Sequence, residues 1–294
     1  MVKQNSTKAW LLASRPKTLT AASIPVMLGC ALAFMYGHFQ LIPAILCFLF
    51  AFLMQIDFIN DLYDYLKGSD REDRLGPERA CAQGWISPSG MKKGILVTTA
   101  LAAVTGLFLL GYGGWEMIPV GIACIIFAFL YTTGPYPLAY HGWGDILVLV
   151  FFGFVPVGCT FYVMAHDWNT SVTMASLACG FVIDTLLMVN NFRDREQDAI
   201  SGKKTIVVRL GARAGLILYF LLGLAACWSC FYFVTEGRLW AAILPQIYLL
   251  FHILTTMKMA RINRGKELNA ILGETSRNML LFGILLTAGL LIPA

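Results

Sequence analysis

The chain has 294 residues, of which 58% are apolar and only 13% charged, with a formal net charge of +5. A soluble domain carries nearer to about 25% charged residues, so a soluble globular enzyme is excluded. A disordered chain, which needs the opposite balance, is excluded too. At roughly 20 apolar residues per bilayer crossing, this composition describes one integral-membrane domain spanning 1–294.

Nine apolar runs follow in chain order: Leu19–Gly37, Leu41–Ile59, Ile95–Tyr112, Met117–Thr133, Ile146–Ala165, Ser171–Phe192, Ala214–Val234, Leu239–Met257 and Met279–Ala294, the last short and the weakest. Asp57 and Asp184 are the acids inside them, and no Lys or Arg is. The runs are continuous, without the alternation of a barrel strand, and a water-free bilayer then leaves only helices. The expected fold is all-α and polytopic, with nine transmembrane helices. Every Lys and Arg except Arg238 falls before the first run or after the second, sixth and eighth. That asymmetry makes this face, with the N-terminus, cytoplasmic. No short apolar core with a small-residue cleavage site opens the chain, so the N-terminus is expected to be retained. Cys227 and Cys230 form a CxxC inside the seventh run with no second pair nearby, which reads as apolar filler rather than a metal or redox site. The four histidines are dispersed; His141 alone is kept in reserve for the site.

The ends of the second and sixth runs carry the chemistry. The first stretch reads NDLYDYLKGSDREDRLGPERA from Asn60, and the second NNFRDREQDAISGKKTIVVRLG from Asn190. A shift of 130 superposes Asn60 on Asn190, Asp61 on Asn191, Asp64 on Asp194 and Gly68 on Asp198. The chain therefore reads as two related four-helix halves plus a ninth helix. At about 100° per residue, Asp57, Asn60, Asp61 and Asp64 share one helix face. Asn190, Asn191, Asp194 and Asp198 share another, with Asp184 deeper on it. Acids at a membrane boundary must face inward, and oxygen-only ligands suit Mg²⁺. The expected metal ligands are Asn60, Asp61, Asp64, Asn191, Asp194 and Asp198. Bases follow each stripe, and Lys and Arg meet phosphate oxygens directly. Lys67, Arg74, Arg79, Arg193 and Lys203 are therefore expected to hold a diphosphate. Gly202–Thr205 lacks the upstream Gly and the strand of a P-loop. An ion-coupled transporter would also explain intramembrane acids and a repeat, but its site belongs at the bilayer midplane.

At these residues the chain resembles the UbiA superfamily of intramembrane aromatic prenyltransferases, whose pattern is NDxxDxxxD in the first stretch and DxxxD in the second, here Asp194 and Asp198. WLLASRPKTLTAASIPVMLG (10–29), DRLGPERA (73–80), LYTTGPYPLAYHGWGD (130–145) and the second stretch resemble its menaquinone branch. Gly68 stands where a third aspartate would, and Asp70 is nearby. The resemblance implies nine helices around a central cavity, capped on the cytoplasmic side by the loops after helices 2 and 6. It implies Mg²⁺ as cofactor and a polyprenyl diphosphate and 1,4-dihydroxy-2-naphthoate as substrates, with a lipid bilayer around the chain and no nucleic acid. The reaction implied is prenyl transfer with decarboxylation; transfer to another acceptor, such as 4-hydroxybenzoate, stays open. For that chemistry Asp57 and Asp145 are the candidate bases. Tyr131, Tyr63, Tyr136 and Tyr140 are candidates for stabilising an allylic cation, and His141 is a weaker site residue.

Overall fold

A computed structural model describes residues 2–15, 20–68 and 74–293. Lys17, Leu19, Asp70, Arg71, Asp73 and Ala294, all used in the reading above, lie outside the described residues. Every regular element among the described residues is helical. They are α1 (Thr7–Ala13), α2 (Thr20–Met35), α3 (Leu41–Gln55), α4 (Phe58–Leu66), α5 (Pro88–Gly113), α6 (Met117–Leu130), α7 (Gly144–Val148), α8 (Val155–Ala165), α9 (Thr170–Ile200), α10 (Ile206–Ser229), α11 (Leu239–Ile243), α12 (Ile247–Ile262) and α13 (Leu268–Leu291).

Among the described residues, six helical stretches are long and apolar enough to cross a membrane: Leu41–Leu66, Pro88–Gly113, Gly144–Ala165, Thr170–Ile200, Ile206–Val234 and Leu239–Ile262. Two shorter apolar helices, Ala21–Met35 and Met117–Leu130, accompany them. The weakest apolar run turns out to be the end of a longer helix. It begins at Leu268 rather than Met279 and takes Asn269, Glu274 and Asn278 into its first turns.

Two departures from straight helices matter for function. The stretch Leu41–Leu66 is broken at Ile56, which is extended (φ −65°, ψ 112°), and Asp57 stands at the N-cap position of the second piece without a side-chain capping bond. Irregular backbone at membrane depth is tolerated where it lines a cavity, and Ile56 and Asp57 both do. Between α7 and α8 the chain makes a π-helical turn, Leu149–Phe154. Such turns widen a helix locally and recur at functional sites; here Phe151 and Phe152 both reach the cavity wall.

The cavity has a volume of about 410 Å³. Its described lining comes from α2, α3, the start of α4, α5, α6, α7–α8 and α9, with none from α10 to α13. A cavity enclosed by all nine helices is therefore corrected to one enclosed by the helices up to α9. The physical reason is that the last helices fill their own interior. His252 Nε2 lies 3.1 Å from the Tyr219 carbonyl, so it is the donor nitrogen, and Nδ1 then accepts from Tyr248 Oη at 2.9 Å. Tyr219 and Thr275 hydroxyls bond at 2.8 Å, and Asn278 donates to Thr255 at 2.9 Å. Gly223 makes room for the imidazole: a Cβ there would lie 2.3 Å from His252 Nε2. Overpacking of this kind costs about 1–3 kcal/mol. Gly223→Ala is accordingly expected to lower the thermal midpoint in detergent by about 2–8 °C, with the size and secondary structure of the folded protein unchanged at low temperature. An unchanged midpoint would show that the ring can move aside freely.

Candidate active site

Helix α4 is set by what its apolar side packs on. Phe58 and Leu62 sit with Ala9, Ala13, Ile86, Met91 and Ile95 in one buried cluster, with Trp10 edge-on to Phe58 at 5.4 Å. Tyr63 packs against this cluster, which gives it a structural place rather than the expected one beside a cation. The polar side of α4 is left for chemistry. Asn60 lines the cavity, and Asp64 follows one turn further out. On α9, Asn190 lines the cavity and Asp194 and Asp198 follow one and two turns beyond. Asn191, the expected ligand, is buried but not among the described lining residues. The repeat shift had paired Asn60 with Asn190, and it is these two that line the cavity.

Asp61 has another job than the one expected of it. It is 1% exposed, and its two carboxylate oxygens accept from the backbone N–H groups of Ala80 and Cys81, both at 2.9 Å. It fastens the loop after α4 onto that helix, and we remove it from the ligand set. The same loop presents Arg79, which is 8% exposed. Arg79 Nη2 pairs with Asp64 Oδ2 at 2.9 Å, while Nη1 donates to the Asn60 carbonyl at 2.7 Å. Asp64 Oδ1 is buried with no hydrogen-bond partner.

The tips of α4 and α9 meet through two lysines and one ring. Lys67 Nζ and Lys203 Nζ each lie 4.9 Å from the Tyr140 ring centroid. Lys67 also donates to the Thr132 carbonyl at 2.5 Å, and Lys203 pairs with Asp198 at 3.5 Å. Burial depresses the Lys67 pKa, with Asp64 pulling it up and Lys203 pushing it down. Burial works against the Lys203 ammonium too, but Asp198 and Asp64 outweigh it and raise its pKa. An acid from each helix thus acts on one ammonium.

Arg193 is 3% exposed and fully engaged. It grips Asp194 with two bonds of 2.7 and 2.6 Å and donates to Asn269 Oδ1 at 2.9 Å. Asn269 in turn donates to the Leu75 carbonyl at 2.8 Å. Arg193 is therefore a strut between α9, α13 and the loop after α4. Its guanidinium and that of Arg74 both border Gly76, where a Cβ would lie 2.8 and 3.1 Å from them. Among the described residues no three His, Cys, Asp or Glu side chains stand close enough to hold one metal ion. Each acid is instead paired with a base: Asp64 with Arg79, Asp194 with Arg193 and Asp198 with Lys203.

At the polar end of the cavity Arg15 pairs with Asp57 at 2.5 Å, beside Gln55, Asn60, Asn190 and Tyr131. Arg15 was counted only toward orientation in the sequence. Asp57, Asp145, Asp64 and Asp184 all act electrostatically on the Tyr131 phenol. Asp145, the other expected base, is not among the described lining residues, and its Oδ1 is buried without a hydrogen-bond partner. Tyr136 and His141 do not reach the cavity. Their rings stack at 3.5 Å, Tyr136 is exposed, and His141 Nδ1 lies 2.9 Å from the Pro137 carbonyl.

A broken helix, an apolar cavity lined also by Arg15, Asp57, Asn60 and Asn190, and paired acids and bases at the ends of α4 and α9 fit an intramembrane enzyme acting on an amphiphilic phosphate ester. The family model described as UbiA prenyltransferase family matches residues 22–290, and the chain belongs to that family. It is 34% identical to the 1,4-dihydroxy-2-naphthoate octaprenyltransferase of Haemophilus influenzae, over 97% of this chain and 96% of that one. The Escherichia coli enzyme of the same description is 37% identical over 80% and 79% of the two chains. A UbiA homolog from Archaeoglobus fulgidus, solved with GPP and Mg²⁺, shares the fold with a TM-score of 0.69 at 18% identity, covering 97% of this chain and 100% of that one.

Proposed function

We propose that the protein transfers a polyprenyl group from polyprenyl diphosphate to 1,4-dihydroxy-2-naphthoate. The acceptor loses its carboxylate as CO₂, giving diphosphate and the reduced demethylmenaquinol, which becomes demethylmenaquinone only on later oxidation. The observation that carries this reading is the meeting of Lys67, at the end of α4, and Lys203, just beyond α9, over the Tyr140 ring, next to helices whose Asn60 and Asn190 line an apolar cavity. The names of the relatives support the naphthoate as acceptor. The chain works as one integral-membrane domain of nine spans. Its N-terminus and site loops face the cytoplasm of a bacterial inner membrane, and the loops after α4 and α9 cap the cavity.

The donor set fits Mg²⁺: oxygens only, one of them the orphaned Asp64 Oδ1. Asp64 would be the first ligand, with Asn60 and Asn190 or Asn191 beside it, and Asp194 and Asp198 would join only on giving up Arg193 and Lys203 and closing on the ion. When bound, Mg²⁺ neutralises diphosphate oxygens and makes the group a better leaving group. Lys67, Lys203, Arg79 and Arg74 supply further positive charge there, exchanging some of their carboxylate partners for phosphate oxygens. As the allylic C–O bond breaks, its electron pair leaves with the diphosphate, and the cation forms at the cavity mouth beside Tyr131. The apolar wall from Phe127 to Met117 takes the first part of the tail and excludes water. Asp57 is the carboxylate placed to accept the acceptor's hydroxyl proton, and Arg15 is the cation placed to receive the acceptor's own carboxylate.

The test is purified protein with Mg²⁺, labelled geranyl diphosphate and either acceptor. Prenylated naphthoquinol with one CO₂ released per transfer is expected with dihydroxynaphthoate. Transfer to 4-hydroxybenzoate alone would replace the acceptor, and transfer to neither would end the reading.

A further inference from the structure

The mechanism asks two lysines from distant parts of the chain to meet one anion, and something must hold two like charges together before the anion arrives. In this structure that something is Tyr140. Its ring lies under both ammonium groups, 4.9 Å from each. Its backbone carbonyl accepts from Lys204 N–H at 2.8 Å, so the residue also fixes the turn that carries Lys203. A third tie comes from Arg209, which donates to the His141 carbonyl at 2.9 Å. Gly142, at φ +84°, lets the two segments touch: a Cβ there would lie 2.7 Å from the Lys204 carbonyl.

We propose that Tyr140 is a positioning residue, a π-electron post that holds Lys67 and Lys203 together as a preformed diphosphate clamp. This replaces its expected place beside the carbocation and rests on the prenyl diphosphate reading above. The quadrupole of an aromatic face attracts each ammonium, and the attraction offsets part of the repulsion between the two. With the lysines already ordered, less side-chain freedom is lost when the diphosphate binds. The hydroxyl is not required by this role; the electron density of the ring is.

The experiment is calorimetric binding of inorganic diphosphate with Mg²⁺ to the full-length protein in detergent, beside KM for each substrate. Tyr140→Phe keeps the ring, and a loss under about threefold is expected. Tyr140→Leu keeps the backbone bond but not the ring, and is expected to weaken diphosphate binding about tenfold, equivalent to about 1.4 kcal/mol. KM for the prenyl diphosphate should rise in step while KM for the aromatic acceptor stays put. Because Tyr140→Leu can also disturb the loop, a second series places mono-, di- and trifluorinated phenylalanine at position 140. Fluorine drains the ring face with little change of shape, so affinity should fall stepwise with each fluorine. Flat affinity across that series, or Phe as damaging as Leu, overturns the proposal. If the wild-type protein itself binds no Mg²⁺–diphosphate, the underlying reading fails, and the post falls with it.

Discussion

Asp64→Asn is expected to reduce Mg²⁺-dependent prenyl transfer at least about 100-fold, the scale seen when a single charge-stabilising group is lost from a transition state. Asp64 has one oxygen on Arg79 and the other buried with no partner, so half of this carboxylate is held ready for something absent from the protein itself. The amide still offers Arg79 an acceptor oxygen, and the variant should elute as a folded monodisperse protein. It should need much more Mg²⁺ for half-maximal activity. Full activity at ordinary Mg²⁺ would remove Asp64 from the ligand set.

Asp61→Ala is expected to fail differently, although the two acids are three residues apart. Losing the carboxylate leaves the Ala80 and Cys81 N–H groups buried without acceptors. At about 1–3 kcal/mol for each orphaned donor, the expected destabilisation is about 2–6 kcal/mol, read as a lower thermal midpoint. The loop that carries Arg79 loosens with it, so prenyl diphosphate KM should rise. The Mg²⁺ dependence of whatever activity remains should match wild type. A shifted Mg²⁺ requirement with an unchanged midpoint would return Asp61 to the metal site.

Much of this architecture was legible in the chain because a membrane simplifies the code. A long apolar run has few alternatives to a helix, and acids at its ends must be turned inward. Periodicity could not separate Asp61 from Asp64, because both lie on the same face of α4. What separates them is the loop at Ala80–Cys81, which arrives from outside the helix. The same limit hid Arg15, whose value comes from meeting Asp57 across the fold. Asn269 was missed because the last run was read only from Met279, where apolar content begins, whereas α13 starts at Leu268. A cavity inside all nine helices was what the resemblance implied, and the described lining ends at α9; apolar content alone does not say whether a helix faces lipid, a tail or its neighbours. His252 and its tyrosines show that α10 and α12 spend their inner faces on each other. Tyr136 and His141, eight and three residues before helix α7, were chosen as ring-bearing members of the family-like segment, and their rings stack on each other instead.

The central claim is that acids on two different helices serve one diphosphate. The most direct measurement is Mg²⁺–diphosphate affinity by calorimetry for wild type, Asp64→Asn, Asp198→Asn and the double variant. The expected result is that each single variant loses most of the binding and the double variant loses little more, as residues of one site do. Independent, additive losses, or normal affinity in either single variant, would mean that α4 and α9 do not share a ligand.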